Sequence, residues 1–554
     1  MNKKVCSFPI LFALLALLIG TCAVVFPASA QAVPTATGSI TVSGTVASSY
    51  DAYQIFSANV VDGDSDAKIA TDFAWASDAV RDAALPVLHS AGMPNSQTTA
   101  QEAAEWLNTD SHLTSALSAQ LARSLQRSGA VPVALNAGTT AELPCGYWLI
   151  VADDDAIAQG EAGTAPIMAL VGGSAVTVKP KAATPKVAKH VLEDGTAAWQ
   201  KAADATVADD LYWRLSATVP AGLTAYDTYT VQFVDTMSAG LDLSKVAASM
   251  RVYVAAGADG GFDAVSAGKD GRAGTEPVKS WTDITAQCRV SVDGKTFTVR
   301  TGDLIAALGG ADAFTAGARV VAVYNAPLNS ACSHGIAKGN PNEVYLRYPR
   351  SPFADQSVDA GFTHTPGDDA CAYTWDLALT KRGSDGDKPL AGAVLSIADD
   401  RGRTLAADGT WDAEGKATVT TGEDGRVTVS GVDSGKLEVR ELKAPKGYTA
   451  FEGTRSVTVK AEGLDVDQVA AAKPKLTITA ESPLRADSAD GSTGSLEASL
   501  INTPTGTPPS ITTGGFMPST GDMAMYAAAA AAVAGAALIV VALLVKRGGG
   551  SHKE

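Results

Sequence analysis

The sequence predicts a mainly β protein: tandem immunoglobulin-like β-sandwich domains after an α+β N-terminal domain, with a cleaved signal peptide before them and a C-terminal transmembrane helix behind. Three observations carry this reading. Residues 185–366 and 367–503 are short alternating strands separated by frequent turn signals. Residues 99–128, TAQEAAEWLNTDSHLTSALSAQLARSLQRS, are rich in Ala, Leu and Glu at helical spacing. Both ends of the chain are apolar with basic flanks.

Residues 1–30 read as the signal peptide. Lys3 and Lys4 lead into the apolar stretch Ile10 to Ile19, and Ala28-Ser29-Ala30 offers small residues for cleavage before Gln31. Cys22 is a weak lipidation candidate, because Thr21 stands where a small Gly or Ala is usual. Residues 31–184 mix strands (GSITVSG, Tyr53 to Phe56, GYWLIV, IMALV) with the helical stretch. They end in SAVTVKPKAATPK, whose prolines mark a junction.

The middle block, 185–366, contains WRLSATVP, YTVQFVD, RVYVA, FTVRT, ARVVAVYN and NEVYLRY. The third, 367–506, repeats the pattern with WDLALTK, AVLSIAD, RVTVSG, KLEVRE, SVTVK and LEASLIN. Residues 507–554 hold a Pro/Thr/Gly spacer that cannot pack a core, then an uncharged run from Met523 to Val545. As a helix that run reaches about 35 Å, enough to cross a bilayer. Lys546 and Arg547 stop it, which fits a cytoplasmic tail and an exported body.

The full chain has a formal net charge of −16. Its ends carry Lys3, Lys4, Lys546, Arg547 and Lys553 against Asp522 and Glu554, so the exported body is more acidic still. Such a surface repels nucleic acid and anionic lipid, and no nucleic-acid partner is expected. The body holds Cys145, Cys288, Cys332 and Cys371. An oxidising compartment permits disulfides, and Cys332 with Cys371 is the favoured pair, although spacing does not fix the pairing. Cys332, His334, His364 and Cys371 match no compact zinc template, so no metal is expected.

Side chains two apart on a strand share a face, so a polar residue continuing an apolar face is directed inward. In the third block, Trp375, Leu377 and Leu379 continue into Lys381; Leu437 and Val439 continue into Glu441; Leu496, Ala498 and Leu500 continue into Asn502. The middle block repeats the composition. Val187 and Val191 flank Lys189; Tyr229, Val231 and Phe233 continue into Asp235; Asn342 heads the face of Val344 and Leu346. Asn340 shares the parity of Asn342, so alternation does not choose between them.

Burial drives a lysine toward its neutral amine and a carboxyl toward its acid. A neutral amine is a nucleophile, and a protonated acid can hydrogen-bond an amide oxygen and shuttle protons. Held against an Asn carboxamide, the pair should yield a Lys–Asn isopeptide and ammonia. That is one self-turnover without a cofactor, not enzyme catalysis. By disulfide loop arithmetic, a Lys381–Asn502 link constrains the denatured chain by roughly 4–5 kcal/mol.

Several motifs resemble a family. Glu441-Leu442-Lys443-Ala444-Pro445-Lys446-Gly447-Tyr448 looks like the E-box of Gram-positive sortase-assembled pilins. LEASLINTP, a spacer and Met517-Pro518-Ser519-Thr520-Gly521 resemble their last strand and Leu-Pro-x-Thr-Gly sorting signal, with Met for Leu. Pro389-Leu390-Ala391-Gly392-Ala393 after Lys381 resembles the opening of a CnaB domain. PKVAKHV, FVDTMSAGLDL and GNPNEVYLRY resemble the isopeptide-forming, CnaA/CnaB-like second domain of SpaA/FimA-type backbone pilins.

The resemblance implies Lys189–Asn342 assisted by Asp235, and Lys381–Asn502 assisted by Glu441. It implies that a sortase cleaves Thr520–Gly521 and passes Thr520 to a lysine of another subunit. Val178-Lys179-Pro180-Lys181 resembles the pilin motif that supplies this amine, with Lys in place of Tyr. Lys181 is preferred, and Lys179 and Lys186 remain rivals. The implied partners are pilin-specific and housekeeping sortases, further copies of the chain, minor pilins and peptidoglycan. The implied location is a wall-anchored surface pilus that supports adhesion and colonisation, its precursor held transiently in the plasma membrane. A monomeric wall-anchored adhesin needs the same features without the acceptor lysine.

Two signals lead nowhere. Asp62-Gly63-Asp64-Ser65-Asp66 begins like a calcium loop but lacks its later Gly and Glu. The dispersed histidines form no local signature of a Ser/His/Asp triad.

Overall fold

The computed structural model describes residues 36–506 except 65–66, 110, 182–183, 222 and 258–280. The signal peptide, the Met523–Val545 run and Met517 to Gly521 lie outside these residues. Among the described residues no helix is long and apolar enough to cross a membrane. The chain is mainly β, with three successive sheet assemblies.

In the first, Lys68–Trp75, Ser49–Asp62, Gly146–Ala152 and Ile167–Val171 pair in that order, with Val133–Asn136 beside the second. Gly146–Ala152 reads as continuously apolar because both of its faces are buried. Trp148 and Ile150 face a small sheet of Thr140–Pro144, Thr37–Val42 and Val176–Val178, whereas Leu149 and Val151 face helices.

The helical stretch expected over 99–128 forms two helices, Ala100–Leu107 and Ser115–Ser128, and a further helix, Asp78–Ser90, precedes them. Local chemistry explains the break. Thr99 and Glu102 form a capping box at one start, and the Thr114 hydroxyl accepts from Leu117 N at the next. Between them Ser111 takes a positive φ of 73°.

The middle assembly is a two-sheet sandwich. One sheet runs Ala198–Gln200, Val187–Glu193, Tyr212–Thr218, Arg319–Asn325, Arg251–Ala255, Thr282–Asp283. The other runs Ala202–Asp204, Asp368–Tyr373, Asn340–Pro349, Gln232–Met237, Thr296–Arg300, Arg289–Asp293, with Phe362–His364 also beside Asn340–Pro349. This second sheet therefore continues past the junction expected at 366/367, through Tyr373.

The third assembly packs the sheet containing Trp375–Gly383 against the one containing Gly435–Lys443. Its first strand, Trp375–Gly383, lies parallel to its last, Ser495–Pro504, with Lys381 opposite Leu500. Between the middle and third assemblies, Trp375 Nε1 donates to Asp204 Oδ2 at 2.6 Å and Arg403 pairs with Asp209 at 2.5 Å.

Candidate functional site: two buried lysine–acid–asparagine clusters

The structure brings Lys189, Asp235 and Asn342 together inside the middle sandwich. Lys189 comes from one sheet, and the other two come from neighbouring strands of the opposite sheet. Asp235 lies across from Val344, so Asn342 is its diagonal neighbour on the same face. All three residues are fully buried.

Lys189 Nζ forms an ion pair with Asp235 Oδ2. Burial pushes the lysine down to about 8 and raises Asp235, so both are shifted toward their neutral forms. Asp235 Oδ1 and Asn342 Oδ1 are buried acceptors without hydrogen-bond partners among the described residues. A proton on the carboxyl turns one of these acceptors into a donor.

Sequence reasoning missed two groups here. Tyr324, on Arg319–Asn325, donates its hydroxyl to Asp235 Oδ2 at 2.9 Å. It accepts from Lys189 Nζ at 3.0 Å and from Asn342 Nδ2 at 2.9 Å. Its signal was the alternation in ARVVAVYN, where Val320, Ala322 and Tyr324 share the inward face. The second group is the Lys201–Asp368 ion pair. Lys201 Nζ donates to Lys189 O at 2.8 Å, and Asp368 Oδ2 accepts from Lys189 N at 2.7 Å. The backbone of Lys189 is thus held on both sides, which fixes where its side chain enters the core.

The third assembly brings Lys381, Glu441 and Asn502 together with a different topology. Lys381 and Asn502 stand on adjacent parallel strands, and Glu441 reaches them from the opposite sheet. Lys381 Nζ is 3.3 Å from Glu441 Oε1, and both side chains are fully buried. Asn502 Nδ2 donates to the two Glu441 oxygens at 2.9 and 3.0 Å, and Phe451 N donates to Oε2 at 3.1 Å. Burial lowers Lys381 to about 8. Asn502 Oδ1, like Asn342 Oδ1, has no hydrogen-bond partner among the described residues.

Either cluster can perform the same condensation. The neutral amine attacks the carboxamide carbon, the acid stabilises the developing oxyanion and moves a proton, and ammonia leaves.

Asn340 is also buried, but its amide is fully engaged. Oδ1 accepts from Ser333 N at 2.8 Å, and Nδ2 donates to the carbonyls of Ser333 and Ala372 at 2.9 and 3.1 Å. Of the two candidates, Asn342 is the one that reaches the Lys189 cluster.

The favoured disulfide is corrected: Cys332 and Cys371 are both free thiols. Cys332 Sγ faces His334 Nε2 at 3.5 Å, whereas buried Cys371 Sγ is directed to its neighbour's carbonyl, Ala372 O, at 3.7 Å. Burial raises both thiols to about 11.

Lys179, Lys181 and Lys186 are all exposed, so exposure does not separate them. Lys186 is tied through its backbone to Thr218, its amide donating to the Thr218 hydroxyl at 2.8 Å. Lys179 and Lys181 flank Pro180 beyond the strand Val176–Val178. Met517, Pro518, Ser519, Thr520 and Gly521 fall outside the described residues.

Residues 376–473 match the family model of the SpaA prealbumin-like fold domain. The third assembly is thus similar to the SpaA prealbumin-like fold, and is called SpaA-type for that likeness. Within this SpaA-type domain lie Lys381 and Glu441, while Asn502 lies on the strand that closes its sheet beyond the matched residues. The chain is also 30% identical over 143 residues to the trypsin-resistant surface T6 protein of Streptococcus pyogenes serotype M6. That match covers 24% of this chain and 24% of the relative's own length.

Among solved structures, the chain is similar to the T6 backbone pilin of serotype M6 Streptococcus pyogenes, described as a modular three-domain structure. The identity is 17%, with 86% of this chain and 100% of that one covered, at a TM-score of 0.46. It is also similar to the full-length major pilin SpaD of Corynebacterium diphtheriae, at 15% identity, 85% and 98% coverage, and a TM-score of 0.40.

Proposed function

We propose that the chain is the structural subunit of a covalently polymerised cell-surface pilus shaft, built from three domains: residues 31–184, a middle sandwich from 185 through Tyr373, and a third domain from Trp375 to 506. The observation that carries this reading is the pair of buried Lys–acid–Asn clusters. Each holds a lysine lowered to about 8 within a shared acid-and-carboxamide site, an arrangement suited to permanent internal cross-links. The SpaA-type third domain and the sequence match to a bacterial surface protein support the same reading. In it, Lys189–Asn342 and Lys381–Asn502 are isopeptide bonds, formed once with Asp235 and Glu441 as the respective proton-shuttling acids.

Polymerisation joins the sorting motif of one copy to the junction that closes the first domain of another. A sortase cleaves Thr520–Gly521, and the Lys181 amine of another copy resolves the acyl intermediate, with the last copy joined to peptidoglycan. A shaft of this kind transmits force through covalent bonds only: between subunits by Thr520–Lys181, and within them by the two internal bridges.

Boiled, denaturing electrophoresis of wall extracts tests the scheme. Wild type should give a ladder of high-mass species, and Lys181→Ala should abolish it. A ladder that survives the substitution removes Lys181 from the scheme. A wild type without a ladder favours a monomeric wall-anchored adhesin.

A further inference from the structure

We infer that Tyr324 is a catalytic residue of the middle-domain cross-link, relaying the proton that lets ammonia leave Asn342. The inference rests on the proposed Lys189–Asn342 bond and adds a group that the acid-assisted scheme does not contain.

The contrast between the clusters motivates it. In the SpaA-type domain the leaving amide nitrogen of Asn502 sits directly on the acid, bonded to both Glu441 oxygens. In the middle domain the acid is an aspartate, one methylene shorter. There the amide nitrogen of Asn342 is hydrogen-bonded to Tyr324 Oη, and Tyr324 in turn donates to Asp235. The same hydroxyl accepts from the nucleophile, Lys189 Nζ. One phenol therefore touches the attacking amine, the acid and the leaving group, using its single donor and both acceptor sites.

The step balances without an outside reagent. Internal transfer from the Lys189 ammonium to Asp235 gives a neutral amine and a protonated acid. Lys189 Nζ attacks Asn342 Cγ, and a new C–N bond forms. As the Cγ–Nδ2 bond breaks, Tyr324 gives its proton to Nδ2 and takes one from Asp235. Asp235 recovers a proton from the Nζ that now carries the acyl group. One proton has moved from Nζ to Nδ2, and ammonia departs.

The phenol returns to its starting state. Burial and the neighbouring Asp235 charge raise Tyr324 well above its ordinary value, which disfavours a standing tyrosinate and favours coupled transfer. Phe297 packs edge-on against the ring at 4.9 Å between centroids, holding the hydroxyl over the three groups.

The test is cell-free synthesis of the full chain, stopped and sampled over time, with mass spectrometry of the two bridged peptides. In Tyr324→Phe, the Lys189–Asn342 bridge should form at least ~100-fold more slowly, the scale of a lost proton-transfer group. The Lys381–Asn502 bridge in the same molecules should keep its wild-type rate. Equal rates at Lys189–Asn342 in wild type and variant would overturn the relay alone. A wild type that never forms this bridge would overturn the underlying reading and the relay with it.

A second measurement avoids substitution. In mixtures of light and heavy water, the wild-type Lys189–Asn342 rate should fall along a curve, as expected for more than one proton in flight, and the Lys381–Asn502 rate along a straight line. A straight line at both bridges would count against the relay.

Discussion

The two clusters share three residue types and little else. In the middle domain, lysine and asparagine face one another from opposite sheets; in the SpaA-type domain they stand on adjacent parallel strands and the acid comes from across the core. One bond would staple two sheets together, and the other would seal the first strand to the last. The acids differ as well. Beside its lysine, Asp235 is bonded to a phenol, whereas Glu441, beside its own lysine, is bonded to an amide and a backbone N–H. In the proposed reading, the same condensation would be fitted to two topologies by changing the length of the acid and its supporting donors.

Removing the lysines should expose this difference most strongly. Either substitution abolishes a bridge whose loop closure constrains the denatured chain by about 5 kcal/mol. Lys189→Ala also strands the buried charge of Asp235 and should cost a further ~3–5 kcal/mol relative to Asn342→Ala, which keeps the ion pair. For Lys381→Ala against Asn502→Ala the extra cost should be smaller, since Glu441 retains Phe451 N and, in the lysine variant, Asn502. Urea titration of each domain's transition checks both. Equal extra costs in the two domains would remove the distinction drawn between the acids.

Next in size is a pH effect on the unbridged middle domain. In Asn342→Ala, Lys189 should titrate near 8 when folded and near its ordinary 10.5 when unfolded. Between these values the unfolded chain binds the proton that the folded site has released, so stability should rise with pH across this window. The gain is up to about 3 kcal/mol by pH 10.5 and is absent below pH 8. Comparing Asn342→Ala with Asn342→Ala/Lys189→Met in urea at pH 7.5 and 10 isolates it, and a slope identical in both would contradict the buried-amine assignment.

The rate of bridging should follow a bell. The reactive pair, neutral amine and protonated acid, carries the same total charge as the ion pair, so the rate is flat between the two titrations. It falls about tenfold per pH unit above about 8, when Asp235 has lost its proton and Lys189 is neutral. It falls again on the acid side, below a limb lying above 3.8, the ordinary value from which Asp235 is raised. Bridged-peptide yields at fixed time across pH measure it.

The smallest effect should come from Asn340→Ala. Bridge formation at Lys189–Asn342 should be unchanged, while loss of the bonds to Ser333 and Ala372 costs about 1–3 kcal/mol. Loss of the bridge in this variant would reverse the choice between the two asparagines.

Much of this was legible along the chain. Alternation in WDLALTK, KLEVRE and LEASLIN placed Lys381, Glu441 and Asn502 on inward faces, and the structure buries all three. The helical stretch was found without its interruption being placed, because the stop at Asn108 and restart at Thr114 are local capping events in the short polar run between two Ala/Leu-rich segments. The sheet running past 366 was missed because strand Asp368–Tyr373 follows the proline turn after His364 and looks like the start of the next block, while its hydrogen bonds go back to Asn340–Val344. The Cys332–Cys371 pairing failed because spacing says nothing about where two thiols point.

What the sequence determined by itself is periodic and local: mainly β sandwiches, a helical insertion, and polar residues set on apolar faces by a side-chain period of two. What only the tertiary structure decided is which of those faces meet. Asn342 rather than Asn340 reaches the Lys189 cluster through Tyr324, Tyr324 stands between acid and amide, and Lys201 with Asp368 holds the Lys189 backbone. These outcomes depend on register and on sheet-to-sheet packing, with partners as far apart along the chain as Lys189 and Asp368, and parity along one strand carries no information about its partner on another.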